Sequence, residues 1–239
     1  GTPPERQAIE ADPRFPLYPR LHQMTLPPGS VFKALTATAM LQAGQRRATD
    51  VFECQGYLDH PNKRRCLPFV HRGVGHGPVD LSRAMAQSCN VYFYNGAREI
   101  GGQRLLHSAA QFGFGQPTGV DLPHESPGNL PAMPCDHLGV AIGQAALTVT
   151  PLQILRMMGA IANGGELLTP RLARRSGSVV VATENLVDAG STLLLTPQTR
   201  SIPELSSQTL TAVRHGLEQV VAYPGGTGYK TVRMPEVAI

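Results

Sequence analysis

Apolar residues recur at helical spacing in six segments of the 239-residue chain. The predicted helices cover residues 30–44, 81–87, 91–100, 103–112, 151–163 and 208–222. The first of these segments is apolar on nearly every face and ends at Gly44, so we expect a helix buried in the core. Thr150 and Pro151 are typical of a helix start, because threonine caps free amides and proline needs no donor at the first helical position.

The remaining segments lack helical periodicity. Residues 1–29 carry repeated prolines and predict an extended arm that ends in a turn at Gly29. Residues 45–79 combine turn residues with cysteine and histidine, which indicates a structured loop. Strand-like runs are found at residues 179–182, 192–195 and 237–239. We therefore expect a chain in which helices predominate and strands are few.

Composition narrows the functional classes. Charged residues make up 16% of the chain, against about a quarter in an average soluble protein, so the surface is poor in charge. A net charge of +4 is too small to argue for nucleic-acid binding, which we exclude. No segment approaches the roughly 18 apolar residues of a membrane span. Four cysteines are too few for a disulfide-rich scaffold.

Ser30 and Lys33 form the chain's serine-x-x-lysine pattern, at the start of the predicted buried helix. The three-residue spacing places both side chains on one helix face. Burial and the helix dipole disfavour an ammonium ion there, so the amine can be neutral and accept the serine proton. The pair therefore predicts a serine nucleophile activated without histidine.

A second polar pair, Ser88 and Asn90, lies between two predicted helices. An extended turn would point the hydroxyl and the carboxamide the same way. Acyl transfer needs a second proton carrier and a group that orients the substrate. We therefore predict that Ser88 and Asn90 share a site with the serine-lysine pair.

These motifs resemble those of a known family. They are Pro27-Pro28-Gly29-Ser30-Val31-Phe32-Lys33, Ser88-Cys89-Asn90-Val91-Tyr92-Phe93-Tyr94, Gly143-Gln144, Thr150-Pro151-Leu152-Gln153 and Ala162-Asn163-Gly164-Gly165. Together they resemble the transpeptidase domain of class B penicillin-binding proteins, and within it the elongation-type penicillin-binding protein 2 group. The resemblance runs from about Asp12 to the chain end and is weakest over residues 171–205.

The resemblance implies a peptidoglycan D,D-transpeptidase that cross-links stem peptides. Ser30 would attack the D-Ala-D-Ala carbonyl with Lys33 as general base. Ser88 would pass a proton to the leaving D-Ala, and Asn90 would bind the substrate amide. β-Lactam antibiotics would acylate the same serine. No organic cofactor is implied.

The resemblance also implies an α/β fold of the α+β type, the penicillin-binding and serine β-lactamase-like transpeptidase fold. We expect residues 1–239 to be an incomplete transpeptidase domain, mostly its helical part, with much of the antiparallel sheet missing. In that division 1–29 is the arm, 30–165 the helical body with the active-site motifs, and 166–239 a helix and strand leading to a missing third motif. Because the family's Lys-Thr-Gly motif is absent, we expect this piece to be inactive alone.

The family further implies a parent protein in the inner membrane, with this domain on the periplasmic side and a SEDS-type glycan polymerase as partner. Two alternatives use the same residues. One is a penicillin-binding sensor or scaffold without turnover. The other is a serine D,D-carboxypeptidase or β-lactamase, in which water takes the acyl group.

Cys54, Cys66, His76 and Cys89 follow one another at spacings of 12, 10 and 13 residues. Three thiolates and an imidazole form a known type of tetrahedral structural zinc site. The resemblance supports this, since some elongation-type members have zinc beside the active site, with aspartate where this chain has Cys54 and Cys66. A Cys54–Cys66 disulfide or free buried thiols remain alternatives, and His71 competes with His76 as the ligand.

Overall fold

The computed structural model describes residues 2–172 and 198–232, and helices dominate this part of the chain. The helices are α1 (Pro3–Glu10), α2 (Lys33–Gln42), α3 (Leu67–Arg72), α4 (Leu81–Ala86), α5 (Asn90–Ile100), α6 (Gly102–Gln111), α7 (His137–Ala141), α8 (Pro151–Asn163) and α9 (Ser207–Ala222). A 3₁₀ turn over Gly29–Phe32 leads directly into α2. The strands form two antiparallel pairs, β1 (Phe52–Cys54) with β2 (Gly77–Val79) and β3 (Glu166–Leu168) with β4 (Thr199–Ser201).

The helix α2 lies at the centre of the molecule, where α4, α5, α6 and α9 pack around it. Its residues 33–40 are all buried, as the apolar pattern predicts. The buried hydroxyl of Thr36 donates to the carbonyl of Ala141 at 2.7 Å, and that of Thr38 to the carbonyl of Ala34 at 2.9 Å. Because both hydroxyls are satisfied, their burial costs little.

The helix α5 passes close to α2 at Gly96. A Cβ at this position would overlap the end of the Met40 side chain, so glycine lets the two helices lie close together without displacing that side chain. This crossing places the first residue of α5, Asn90, beside the first residue of α2, Lys33. Close packing of these two helices therefore brings the two predicted polar motifs together.

The helices predicted at 81–87, 91–100, 103–112, 151–163 and 208–222 are confirmed with small shifts at their ends. The helix predicted from residue 30 begins with the 3₁₀ turn and becomes α-helical at Lys33. The start of α8 is as expected, since Thr150 and Gln153 form a reciprocal cap.

The first part of the expected extended arm is wrong, because residues 3–10 form α1. The side chain of Glu5 accepts a hydrogen bond from the Thr2 amide at 2.7 Å, and proline stands in the first turn of the helix. Both features favour a helix start, and the abundance of proline in the arm concealed them. The loop predicted over 45–79 contains β1, α3 and β2, elements of three to six residues that are too short to show a periodicity.

The strand-like runs predicted at 179–182, 192–195 and 237–239 lie outside the described residues. Among the residues that the structure does describe, no helix combines the length and the apolar character that crossing a bilayer requires.

Candidate active site

Ser30 is exposed in the 3₁₀ turn that precedes α2. The turn is fixed from the opposite side, where the amide of Gly29 donates to the carbonyl of Gly143 at 2.9 Å. A Cβ on Gly143 would overlap the backbone of Gly29, and both glycines have a positive φ. Glycine at both positions therefore allows the close approach that holds the Ser30 turn in place.

Lys33 lies one helical turn further on and is 3% exposed. Its Nζ donates to the carbonyl of Ser88 at 2.8 Å, to the hydroxyl of Ser88 at 2.8 Å and to Oδ1 of Asn90 at 2.7 Å. Burial lowers the pKa of Lys33 from 10.5 to about 8, although electrostatic interactions with Cys89 and Cys66 oppose this effect. A substantial fraction of this amine is therefore neutral near neutral pH.

Ser88 connects the lysine to the first serine. Its hydroxyl donates to the hydroxyl of Ser30 at 2.9 Å and accepts from Lys33. The backbone of Ser88 has a φ of +53°, a left-handed conformation that costs a non-glycine residue about 1–2 kcal/mol. In this conformation the carbonyl and the hydroxyl of Ser88 both reach Lys33, and these hydrogen bonds offset the strain.

Asn90 is held by both ends of its carboxamide. Oδ1 accepts from Lys33, and Nδ2 donates to the carbonyl of Arg65 at 3.0 Å. The second amide hydrogen of Nδ2 has no described protein partner and is available to a ligand. Ser30, Lys33, Ser88 and Asn90 are thus brought together as the sequence predicts.

A cavity of about 260 Å³ adjoins these groups. Ser30, Lys33, Ser88 and Thr227 are its polar lining residues, and apolar residues such as Met158 and Leu217 form the rest. A pocket with an apolar lining and a few convergent polar groups is typical of a small-molecule or peptide site.

The predicted metal ligands also converge, next to the start of α5. Cys54 ends β1, Cys66 precedes α3, and Cys89 is the N-cap of α5. His76 immediately precedes β2, and the antiparallel pairing of β1 with β2 brings it to Cys54. The four ligand atoms lie within 4.8 Å of one another.

The separations fit a tetrahedral zinc site. Sγ of Cys66 lies 3.7 Å from Sγ of Cys54 and 3.6 Å from that of Cys89, and Nδ1 of His76 lies 3.6 Å from Sγ of Cys54. A regular tetrahedron with zinc–sulfur bonds of about 2.3 Å has edges of about 3.8 Å. The residues present therefore fit the metal in donor type, number and spacing.

The structure bears on the disulfide and on His71, the other possibilities for this cluster. All four cysteines are free, and the 3.7 Å between Cys54 and Cys66 is far longer than a disulfide bond of about 2.05 Å. His71 is exposed in the last turn of α3 and lies outside the cluster, so His76 is the imidazole. Cys135 is also separate, with its thiol 3.6 Å from the sulfur of Met133.

The backbone amides at the start of α5 donate hydrogen bonds to sulfurs of the cluster. The amide of Val91 donates to Sγ of Cys66, and that of Tyr92 to Sγ of Cys89, both at 3.4 Å. Hydrogen bonds from the other thiols lower the pKa of Cys54 and raise that of Cys89, while the contact with Cys54 raises the pKa of His76 to about 9. A cation at His76 favours the thiolate of Cys54, and thiolate is the form that binds metal.

Sequence reasoning missed the contacts that join the cluster to Asn90. Its Nδ2 bonds the carbonyl of Arg65, the residue before Cys66, and no side-chain pattern reveals a backbone acceptor. Arg64 was missed as well. It pairs with Asp136 at 3.1 Å and lies over the ring of Tyr94, which ties the loop to α5 and α7.

Comparison with known proteins agrees with the family resemblance of the motifs. The penicillin-binding protein transpeptidase domain family matches residues 2–239. The "Peptidoglycan D,D-transpeptidase MrdA" of Haemophilus influenzae is 30% identical over 228 residues, which are 90% of this chain and 33% of the relative. The chain therefore spans about a third of the length of such curated relatives.

Solved structures show the same fold. The penicillin-binding protein 2 of Pseudomonas aeruginosa, solved in complex with WCK 5153, is similar at a TM-score of 0.78 with 28% identity, over 96% of this chain and 52% of that one. A structure described as a peptidoglycan synthase complex that coordinates polymerization and crosslinking gives a TM-score of 0.77 with 28% identity, over 97% of this chain and 38% of that one. The expected α/β transpeptidase fold, mostly its helical part, is confirmed.

Proposed function

The chain belongs to the penicillin-binding protein transpeptidase family, and from this premise we propose that it carries the nucleophile and proton-transfer groups of a peptidoglycan D,D-transpeptidase. The observation that carries the proposal is the chain of hydrogen bonds from Ser30 through Ser88 to Lys33 and Asn90, each of 2.7–2.9 Å.

The reaction is acyl transfer in two steps. The hydroxyl of Ser30 attacks the carbonyl between the two terminal D-alanines of a stem peptide, the peptide bond breaks, and D-alanine leaves with a proton. An amine of a neighbouring strand then attacks the acyl-serine and forms the cross-link. A β-lactam would acylate the same serine by ring opening and remain attached.

Lys33 is the general base in this proposal. Its Nζ donates to the hydroxyl of Ser88, which donates to that of Ser30, so Ser88 connects the base to the nucleophile. Once Lys33 is neutral these two hydrogen bonds reverse, and Ser88 relays the proton: Ser30 gives its proton to Ser88, and Ser88 gives its own to Lys33. The lowered pKa of Lys33 supports this role, because a base must be neutral before it accepts a proton. The same relay in reverse delivers the proton to the departing D-alanine.

Asn90 would orient the substrate. Its Oδ1 is occupied by Lys33, but one hydrogen of Nδ2 is free to donate to a carbonyl of the stem peptide. The cavity beside Ser30 would hold the apolar part of the same peptide.

We propose that Cys54, Cys66, His76 and Cys89 hold a structural zinc ion. When bound, zinc supplies no chemistry to the acyl transfer and fixes the positions of its ligands. Cys89 stands between Ser88 and Asn90 in the chain, and the carbonyl of Arg65, the residue before Cys66, accepts a hydrogen bond from Asn90. The zinc ligands therefore orient Ser88 and Asn90 from two sides.

We also propose the setting of the reaction. The relatives are named for peptidoglycan synthesis, and one similar structure is a synthase complex for polymerization and crosslinking. A membrane-anchored parent with this domain on the periplasmic side, working with a SEDS-type glycan polymerase, fits those relatives.

The test is turnover of a D-Ala-D-Ala stem peptide by the purified protein that carries this chain, with and without an amine acceptor. We expect D-alanine release and a cross-linked product when the acceptor is present. Release of D-alanine with hydrolysed product alone would replace the proposal with a carboxypeptidase. Stable acylation with no release would replace it with a sensor.

A further inference from the structure

The three thiols of the cluster are close enough to react with one another. Sγ of Cys66 lies 3.7 Å from that of Cys54 and 3.6 Å from that of Cys89. A side-chain rotation closes such a gap to bonding distance, because the sulfur needs to move by less than about 2 Å. A site built from carboxylates in place of two of these thiols would lack this chemistry.

The half-buried His76 is the most exposed member of the cluster. All three cysteines are buried, with Cys54 1% exposed and Cys66 and Cys89 0% exposed, and Cys89 is the N-cap of α5. Cys54 contacts the half-buried His76, which lies two residues after the exposed residues 73 and 74. A small solute that enters past the imidazole therefore meets Cys54 first.

We infer that Cys54 and Cys66 form a reversible oxidation site, in which a peroxide-class oxidant joins them as a disulfide and displaces the bound metal. The inference rests on the proposed zinc site. It adds a way for oxidation of the cluster to control the positions of Ser88 and Asn90.

The reaction balances as a two-electron oxidation. The thiolate of Cys54 attacks one oxygen of the peroxide, the O–O bond breaks, and Cys54 becomes a sulfenic acid as hydroxide leaves and takes up a proton to form the first water. The thiolate of Cys66 attacks that sulfur, the S–S bond forms, and the second water leaves after uptake of protons. Two thiolates are oxidised and one peroxide is reduced, so the zinc loses two of its four ligands and dissociates.

Oxidation would reach the active site through α5. Cys66 Sγ accepts from the amide of Val91 and contacts Cys89 Sγ, and both interactions change when Cys66 turns toward Cys54. Cys89, whose position sets Ser88 and Asn90, then has no metal to bind. We expect acylation to fall about tenfold or more, as is usual when the support of a site is removed.

The experiment treats the zinc-loaded protein that carries this chain with hydrogen peroxide. It follows zinc release with a chromogenic chelator, maps disulfides by peptide mass, and measures acylation by a labelled penicillin. We expect release of one zinc together with a Cys54–Cys66 disulfide, and recovery of both zinc binding and acylation after reduction in the presence of zinc. The first two readouts do not depend on catalysis, so they remain informative if the proposed transpeptidase activity fails.

Two variants sharpen the test. The double variant Cys54→Asp/Cys66→Asp keeps four zinc ligands but has no thiol pair, and we expect it to retain zinc under peroxide. Cys135→Ser, which removes the thiol outside the cluster, should respond like the parent. Retention of zinc by the oxidised parent, a disulfide at Cys89 instead, or equal zinc loss in the double variant would each overturn the inference. Should the double variant fail to fold, the disulfide map of the parent alone decides.

Discussion

The pH dependence of acylation follows from the burial of Lys33. With a pKa of about 8, roughly one tenth of the amine is neutral at pH 7, against about 0.03% for an ordinary lysine with a pKa near 10.5. Because only the neutral amine accepts a proton, we expect the acylation rate to rise about tenfold per pH unit below pH 8. Above that pH nearly all of the amine is neutral, and the rate should level off.

Replacing Lys33 with arginine removes the base and keeps the charge. A guanidinium is never neutral in this range, so we expect acylation to fall by about 10²–10⁴-fold at every pH. The exposed Lys63 offers a matched control, since Lys63→Arg makes the same chemical change away from the site. The assay is the second-order rate of acylation by a labelled penicillin between pH 6 and 9.5.

Two results would refute this reasoning. A rate that is independent of pH below 8 would show that Lys33 is neutral throughout or takes no proton. A Lys33→Arg variant that keeps its rate within about tenfold of the parent would show that another group is the base.

Three further predictions concern the metal, the carboxamide and the glycine contact. Chelation of the metal or the variant Cys89→Ser should lower both the melting temperature and the acylation rate, whereas Cys135→Ser should change neither; thermal unfolding and the penicillin assay measure this. Asn90→Asp places a carboxylate 2.7 Å from the lysine ammonium, which raises the lysine pKa, so the acylation profile should shift to higher pH. Gly143→Ala should destabilise the fold by about 2 kcal/mol or more through strain and overlap with the Gly29 backbone, while Gly159→Ala, with open space on a helix, should stabilise it by about 0.5–1 kcal/mol; denaturant midpoints compare the two.

Sequence reasoning recovers the parts of the fold in which local signals are strong. The helix α8 is an example, because Thr150, Pro151 and Gln153 specify its start without help from the rest of the chain. The buried helix α2 is recovered for another reason, since a segment apolar on all faces has no place except the core. In α1 the cap at Thr2 and Glu5 is equally local, but the prolines around it masked the signal.

The sequence predicts which residues share the site, but it does not predict the hydrogen bonds that join them. The types and order of Ser30, Lys33, Ser88 and Asn90 suffice to group them. That the lysine reaches Ser30 through Ser88 depends on the left-handed backbone at Ser88, which serine rarely adopts and no propensity indicates. The choice of His76 over His71 likewise depends on the pairing of β1 with β2, strands of three residues each.

The central claim is that Ser30 is the nucleophile of this site. Labelling the protein that carries this chain with a penicillin, followed by digestion and peptide mass mapping, tests it most directly. We predict a single acylated peptide with the label on Ser30, and no label in the Ser30→Ala variant. A label on Ser88 or on any other residue, or undiminished labelling of Ser30→Ala, would contradict the claim.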